Sequence, residues 1–252
     1  MREKQALNQQ RPVSHKQTGT KDAFLAHSEL FRHLPADDLN ALHQRTTETS
    51  YPSGYVFYRP GDAGSALFLL KQGAVHLYHL SPDGRKLIMA TLQPGACFGE
   101  TLLLGQGQQR HFAEAVSPTR VYSISRHDIE HLAGQRPGVA LALFYSVEQR
   151  LHQVETQLIN TTFKSTLARL ATLLLQLAHA QAREQGQLVV TGLTHEELAE
   201  HLGVYRETVS ATLRELKDLG TIEPGRRHIL ITSPHLLATL ANPELGTGRS
   251  AP

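Results

Sequence analysis

The strongest constraint on this chain is a change of period along its length. From residue 54 to about 125, apolar residues come in short strand-like runs at 56–58, 67–70, 74–80, 86–92, 111–116 and 121–124. Turn signals separate them: Arg59-Pro60-Gly61, Gln72-Gly73, Pro82-Asp83-Gly84 and Pro94-Gly95. Short strands at near-regular spacing, punctuated by Gly and Pro, predict an antiparallel barrel or roll. The period then lengthens. Phe144, Val147, Leu151, Val154 and Leu158 recur at spacings of three, four, three and four, with Glu148, Gln149, Arg150, Gln153 and Gln157 between them. This is the seam of a coiled coil. A helix lying on its own domain shows a similar stripe, but the narrow two-position form favours a dimer helix.

A second helix is expected over 163–179 (Leu167, Leu170, Leu173, Leu174, Leu177), then a polar linker at 181–187 and a strand at 188–190. Thr194-His195-Glu196-Glu197 fits a capping box, with Thr at the N-cap and Glu three residues on. The helix that starts there ends at Gly203. Ala199, Gly203 and Val209 stand at offsets of four and six, a small residue at a close crossing, a turn glycine and a β-branched packing residue. An ordinary helical hairpin satisfies the same spacing, so the outward face decides. Burying Val209, Leu213 and Leu216 leaves Arg206, Glu207, Ser210, Ala211 and Arg214 outward. Arg pairs bidentately with guanine and Glu accepts from cytosine when a helix N-terminus enters a major groove. Thr194 and Tyr205, which precede the two helices, join this set of expected DNA contacts. Residues 221–231 read as a hairpin tipped by Arg226 and Arg227, a wing that would lie over phosphates. Such exposed arginine pairs are also common as plain solvated surface.

Composition limits the alternatives. The chain has 25 Lys+Arg against 23 Asp+Glu, and residues 164–252 carry nine of each. No global basic excess announces nucleic acid, so that reading rests on local pattern, and weak non-specific DNA binding is expected. One cysteine, Cys97, excludes an internal disulfide framework, a four-Cys zinc site and an all-Cys iron–sulfur cluster within one chain, and fits a reducing cytosol. Beside Phe98 it reads as a packed thiol. His76 and His79, three apart on a strand, face opposite sides and make poor joint ligands for haem. No metal site is expected. The longest apolar runs are far shorter than the roughly 20 residues a membrane span needs. There is no Walker loop, nucleophile elbow or His-Glu-x-x-His run, so an enzyme is not expected.

The segment from Leu193 through Ala199 and on through Gly203-Val204-Tyr205-Arg206-Glu207-Thr208-Val209 resembles the helix-turn-helix of the cyclic-AMP receptor protein and FNR family. The resemblance runs over residues 24–233 in the family's order of barrel, long helix and winged module. It implies an α+β fold: a cyclic-nucleotide-binding-like β-roll (23–136), a dimerisation helix (137–162) and a winged helix-turn-helix (163–240), while the polar, Gln-rich start reads as a disordered leader (1–22) and residues 241–252 as a flexible tail. Phe98-Gly99-Glu100-Thr101-Leu102-Leu103-Leu104, with Arg110 eleven residues after Gly99, looks like the family's phosphate-binding cassette. Backbone N–H groups would hold the phosphate, Arg110 its charge and Glu100 the ribose hydroxyl. A structural Glu100–Arg110 ion pair is the plainer alternative.

The sequence departs from the family pattern at three places. His111 stands where a small hydroxyl residue is usual, Val154 and Glu155 where a Thr-Ser pair contacts adenine, and Ala211 where a further arginine reads DNA. The expected ligand contacts are therefore Gly99, Glu100, Thr101, Arg110, His111, Val154 and Glu155, with cyclic AMP the leading effector and no covalent cofactor. The resemblance implies a cytoplasmic homodimer that binds a palindromic, TGTGA-like operator relaxed near its centre, and meets RNA polymerase. Two alternatives stay open: a member that needs no small ligand or takes another effector, and a nucleotide-binding module acting on a partner protein.

Overall fold

In the computed structural model, residues 13–14, 24–25, 28, 30–99, 108–181 and 188–242 are described. They fall into two compact units, residues 1–79 with 89–151 and residues 80–88 with 152–252. The sheets of the roll are built from β1 (Val13–Ser14), β2 (Thr47–Tyr51), β3 (Val56–Tyr58), β4 (Ala66–Gln72), β5 (Val75–Leu80), β6 (Lys86–Leu92), β7 (Cys97–Phe98), β8 (Phe112–Ala115) and β9 (Thr119–Ser125). One sheet runs β1-β2-β9-β4-β7 and the other β3-β8-β5-β6.

The apolar run of β4 is continuous because both of its faces are buried. Leu67 and Leu69 join Tyr122 and Ile124 of β9 in a cluster under the helices α1 (Ala36–Arg45) and α2 (Arg126–Gln135). Leu70 points the other way, into the interior of the roll with Val75, Leu77, Phe98, Ala113 and Val121. Both helices show end signals that sequence inspection passed over. Asp37 and Asp38 occupy the first turn of α1 with His43 and Arg45 in its last, the arrangement the helix dipole favours. Ser125 caps α2 by accepting from the Asp128 N–H at 3.1 Å. The Arg136 guanidinium, at the end of α2, reaches the Asp38 carboxylate at 2.6 Å.

Polar β2 is held by charge. The Glu48 carboxylate, 5% exposed, accepts from Lys71 of β4 at 2.9 Å and from Arg120 of β9 at 3.4 Å. Burial alone would raise its pKa, and the two cations more than reverse this, leaving it lowered.

The 27-residue helix α3 (Pro137–Phe163) matches the expected long helix. Beyond it lie α4 (Thr166–Gln181), β10 (Val189–Thr191), α5 (His195–Leu202), α6 (Arg206–Asp218), β11 (Ile222–Gly225), β12 (His228–Ile231) and α7 (Pro234–Ala241). One core joins Leu170 and Leu174 to Leu198, Leu202, Val209, Leu213, Leu216, Ile229, Ile231 and Leu237.

Four expectations need correction. Within the expected disordered leader, Val13 and Ser14 form a strand paired with Ser50 and Thr49, and the other residues of 1–22 lie outside the described ones. Strand β2 precedes the six expected runs and β7 falls between the fourth and the fifth, while the six themselves hold to within two residues at each end. The second helix begins at Thr166, where the Ser165 hydroxyl accepts from the Ala168 N–H, rather than at residue 163. The strand after the linker is shifted by one residue, to Val189–Thr191, by its register against His228–Leu230.

Candidate nucleotide pocket and nucleic-acid interface

Gly99 follows β7 with φ of 87°, a backbone few residues with a side chain adopt. A Cβ there would stand 2.7 Å from the Ala66 carbonyl oxygen and 3.3 Å from the Phe68 ring. The glycine therefore both turns the chain and lets it pass against β4. At the other end of the cassette Arg110 is exposed and His111 is half-buried. The ring Nε2 of His111 lies 3.2 Å from the Tyr58 phenol, and the His79 ring is 6.2 Å away, centroid to centroid. Burial chiefly, with the nearby Arg150 and His79, pushes the His111 pKa down to about 4. At neutral pH this site therefore offers one exposed guanidinium beside a neutral imidazole. The imidazole can position an anion by hydrogen bonding but adds no charge. Glu100 and Thr101 lie outside the described residues.

His79 shares the inward face of β5 with Val75 and Leu77, while His76 takes the opposite face, as strand alternation requires. Among the described residues, no group of three or more His, Cys, Asp or Glu side chains is placed to hold a metal ion. Cys97 is half-buried and packs against the cluster under α1 and α2.

The helix-turn-helix follows its sequence signals closely. Thr194 and Glu197 form the full capping box: the Thr194 hydroxyl accepts from the Glu197 N–H at 3.2 Å and the Glu197 carboxylate accepts from the Thr194 N–H at 2.7 Å. Gly203 ends α5 in the left-handed region, φ 65° and ψ 33°. Leu198, Ala199, Leu202, Val209, Leu213 and Leu216 are buried between α5, α6 and their surroundings. Tyr205, Arg206, Glu207, Ala211 and Arg214 are exposed. The Arg169 guanidinium of α4 donates to the Leu202 carbonyl, closing the free C-terminal end of α5. The wing is the hairpin β11–β12. At its tip Arg227 takes φ of 63°, the only described residue other than glycine with positive φ, and both Arg226 and Arg227 are exposed.

Residues 48–136 match the cyclic nucleotide-binding domain family, and residues 168–240 match the Crp-like helix-turn-helix domain. The chain is 31% identical over 214 residues to the cyclic AMP receptor protein of Thermus thermophilus, covering 85% of this chain and 97% of that one. It belongs to the cyclic-AMP receptor protein/FNR family of DNA-binding transcription regulators. A CRP-like cAMP-activated global transcriptional regulator of Mycobacterium tuberculosis is 28% identical over 222 residues, 87% of this chain and 99% of that one. Among solved structures, a CRP/FNR-family transcriptional regulator of Thermus thermophilus superposes with a TM-score of 0.66 at 28% identity, covering 77% of this chain and 97% of that chain.

In this family member, the expected seam on α3 is exposed: Phe144 66%, Val147 39%, Leu151 58%, Val154 43% and Leu158 66%. Leu141, Tyr145, Ile159 and Phe163 are exposed too, so the apolar surface is broader than the two-position stripe alone suggests. Glu155 also lies exposed on α3. Among the described residues, no helix is long and apolar enough to cross a membrane.

Sequence reasoning missed Tyr58 and His79, because a pairing with His111 across strands leaves no mark on linear spacing. It also missed His195, whose ring Nδ1 lies 2.9 Å from the Ser210 hydroxyl oxygen. Its place as the first residue of a capped helix was the available signal.

Proposed function

We propose that this chain is a homodimeric, cytoplasmic transcription regulator whose operator affinity is set by a cyclic nucleotide, with cyclic AMP the leading effector. The observation that carries the reading is α6 itself, whose first turn leaves Arg206 and Glu207 exposed side by side on a face fixed by the α5 core. Entering a major groove, that turn would read a G·C-rich part of a TGTGA-like half-site. Ala211, with no polar side chain, relaxes the inner position. Arg214 extends the face, while Arg226 and Arg227 would sit on phosphates. The Thr194 hydroxyl is engaged in the capping box, so Thr194 would contribute through its helix end.

The apolar seam of α3 supports a two-fold partner of the same chain, which would place two recognition helices on half-sites one helical turn apart. Gly99, Glu100, Thr101 and Arg110 would hold the cyclic phosphate and ribose, with neutral His111 as a hydrogen-bonding wall. Val154 and Glu155 would face the base, and Glu155 can accept from an exocyclic amine. The relatives from Mycobacterium tuberculosis and Thermus thermophilus bear cyclic AMP in their names, which supports that effector. The ligand acts by favouring one packing of the seam, so ligand and DNA are linked reciprocally. Activation through contact with RNA polymerase completes the reading.

A second reading is favoured by the Tyr58–His111 pair, which puts a ring where a small hydroxyl serves cyclic AMP. A relative 26% identical over 192 residues is named a global nitrogen regulator. Under that reading the effector differs or is absent.

Selection of bound duplexes from a random pool, with and without cyclic AMP, tests both. A palindrome enriched only with the nucleotide, and its loss of nucleotide dependence in Arg110→Ala, supports the first reading. The same palindrome enriched equally without nucleotide, with no heat on titrating cyclic AMP, supports the second.

A further inference from the structure

Ser210 lies on the reading face of α6, and its hydroxyl is doubly engaged. It donates to the Arg206 carbonyl oxygen one turn back at 3.1 Å. The His195 ring Nδ1, from the first turn of α5, lies 2.9 Å from the same oxygen. A hydroxyl has one proton and two lone pairs. With the proton given to Arg206, the His195 bond requires Nδ1–H as donor, which occupies one lone pair. One lone pair is left. Nδ1 carries hydrogen in the imidazolium as well as in this neutral tautomer, so the arrangement holds in both charge states.

From this we infer that His195 is a specificity-determining residue of the DNA site: it makes Ser210 an acceptor only, so that Ser210 selects adenine or cytosine over guanine or thymine at one operator position. The inference rests on α6 being the helix that enters the major groove. There, adenine N6 and cytosine N4 present amines, while guanine O6 and thymine O4 present acceptors. A free serine hydroxyl serves either kind of base and discriminates little. A serine whose proton is held by its own helix and whose second partner is an imidazole N–H faces guanine or thymine with lone pair against lone pair. His195 acts through Ser210 rather than on the base, so it is a positioning residue. Its exposed position at a helix start makes the device removable without disturbing the core.

The test is duplex selection from a random pool with the full-length protein, the base ratios being read at each half-site position. Parent protein is expected to show one position where adenine or cytosine on one strand exceeds guanine or thymine by roughly five- to tenfold, the worth of one hydrogen bond. Ser210→Ala flattens that position. His195→Phe, which keeps a ring but no donor, flattens it too while the other positions keep their preferences. His195→Ala serves as the second variant, and an unchanged thermal transition confirms the fold of each. Retention of the parent ratio in both His195 variants overturns the proposal, as does a parent preference for guanine or thymine at the Ser210-dependent position. A parent protein that enriches no palindrome overturns the DNA reading of α6 itself. A palindrome with no Ser210-dependent position overturns the acceptor device alone.

Discussion

Tyr58 and His111 meet 3.2 Å apart, phenol to ring Nε2, at the end of the cassette that starts at Gly99. His111 is neutral at physiological pH, its pKa held near 4 chiefly by burial, with help from Arg150 and His79. The unfolded chain takes up a proton at His111 near pH 6.5, and the folded chain does not. Stability from this group is therefore full above about pH 6.5 and is lost as pH falls towards 4. His201, also lowered by burial, acts in the same direction. Urea midpoints at pH 7.5, 5.5 and 4.5 should show parent losing on the order of 2 kcal/mol more than His111→Gln, allowing for the partial exposure of the ring. Equal losses in the two proteins would remove His111 as the cause.

Gly99→Ala should destabilise the roll by about 2–3 kcal/mol. It combines a left-handed backbone with a Cβ 2.7 Å from the Ala66 carbonyl oxygen. Chemical denaturation measures the loss, and a variant as stable as the parent would mean that β4 and the cassette part easily.

The wing tip trades backbone comfort for charge. Arg227 sits at φ 63° where glycine rests freely. Arg227→Gly should raise stability by up to about 1 kcal/mol. The same change should weaken random-sequence DNA binding and flatten its dependence on log salt by about one. Thermal melts and fluorescence titrations at several salt concentrations check the two arms separately. Because residues 164–252 carry nine basic and nine acidic side chains, the parent slope itself should be shallow.

At the start of α5, Thr194→Ala removes the acceptor for the Glu197 N–H and should cost about 1 kcal/mol, with Thr194→Ser recovering most of it. A fall in operator affinity larger than the fall in stability, when the two are compared on one energy scale, would point to a direct DNA role for the hydroxyl.

Leu151 and Leu158, exposed at 58% and 66%, mark the α3 seam. Replacing both by Glu should give a monomer by sedimentation equilibrium and lower affinity for a palindromic operator by at least ~100-fold, since each half-site would then bind alone. A double variant that still sediments as a dimer would move the interface elsewhere.

Much of this architecture was legible where one residue type has one physical use. The Thr194 and Glu197 box and the left-handed Gly203 placed α5 without ambiguity, and the three-four spacing from Phe144 placed α3. Strand β6 was read to the residue, Lys86–Leu92. Strand β2 was not, because Thr47–Tyr51 is polar and is buried through Glu48, whose partners Lys71 and Arg120 are distant in sequence. Strand β7 exists only as two residues paired with Phe68 and Leu69. Helices α1 and α2 are rich in charge and histidine and hide their few buried positions. In the DNA module the exposed arginines were readable one residue at a time. The contact of His195 with Ser210 was not, since it joins two helices through side chains fifteen residues apart.

The buried Glu48 carboxylate also acts as a key for strand alignment. A one-residue slip of β2 along β9 would turn Glu48 to the opposite face, away from both cations, and seat a threonine in its place. Removing one partner of a buried ion pair costs about 3–5 kcal/mol, so the slipped sheet is heavily penalised although its backbone bonds could all re-form. For a strand with almost no apolar pattern, this one charge does the proofreading that hydrophobic alternation performs elsewhere in the roll.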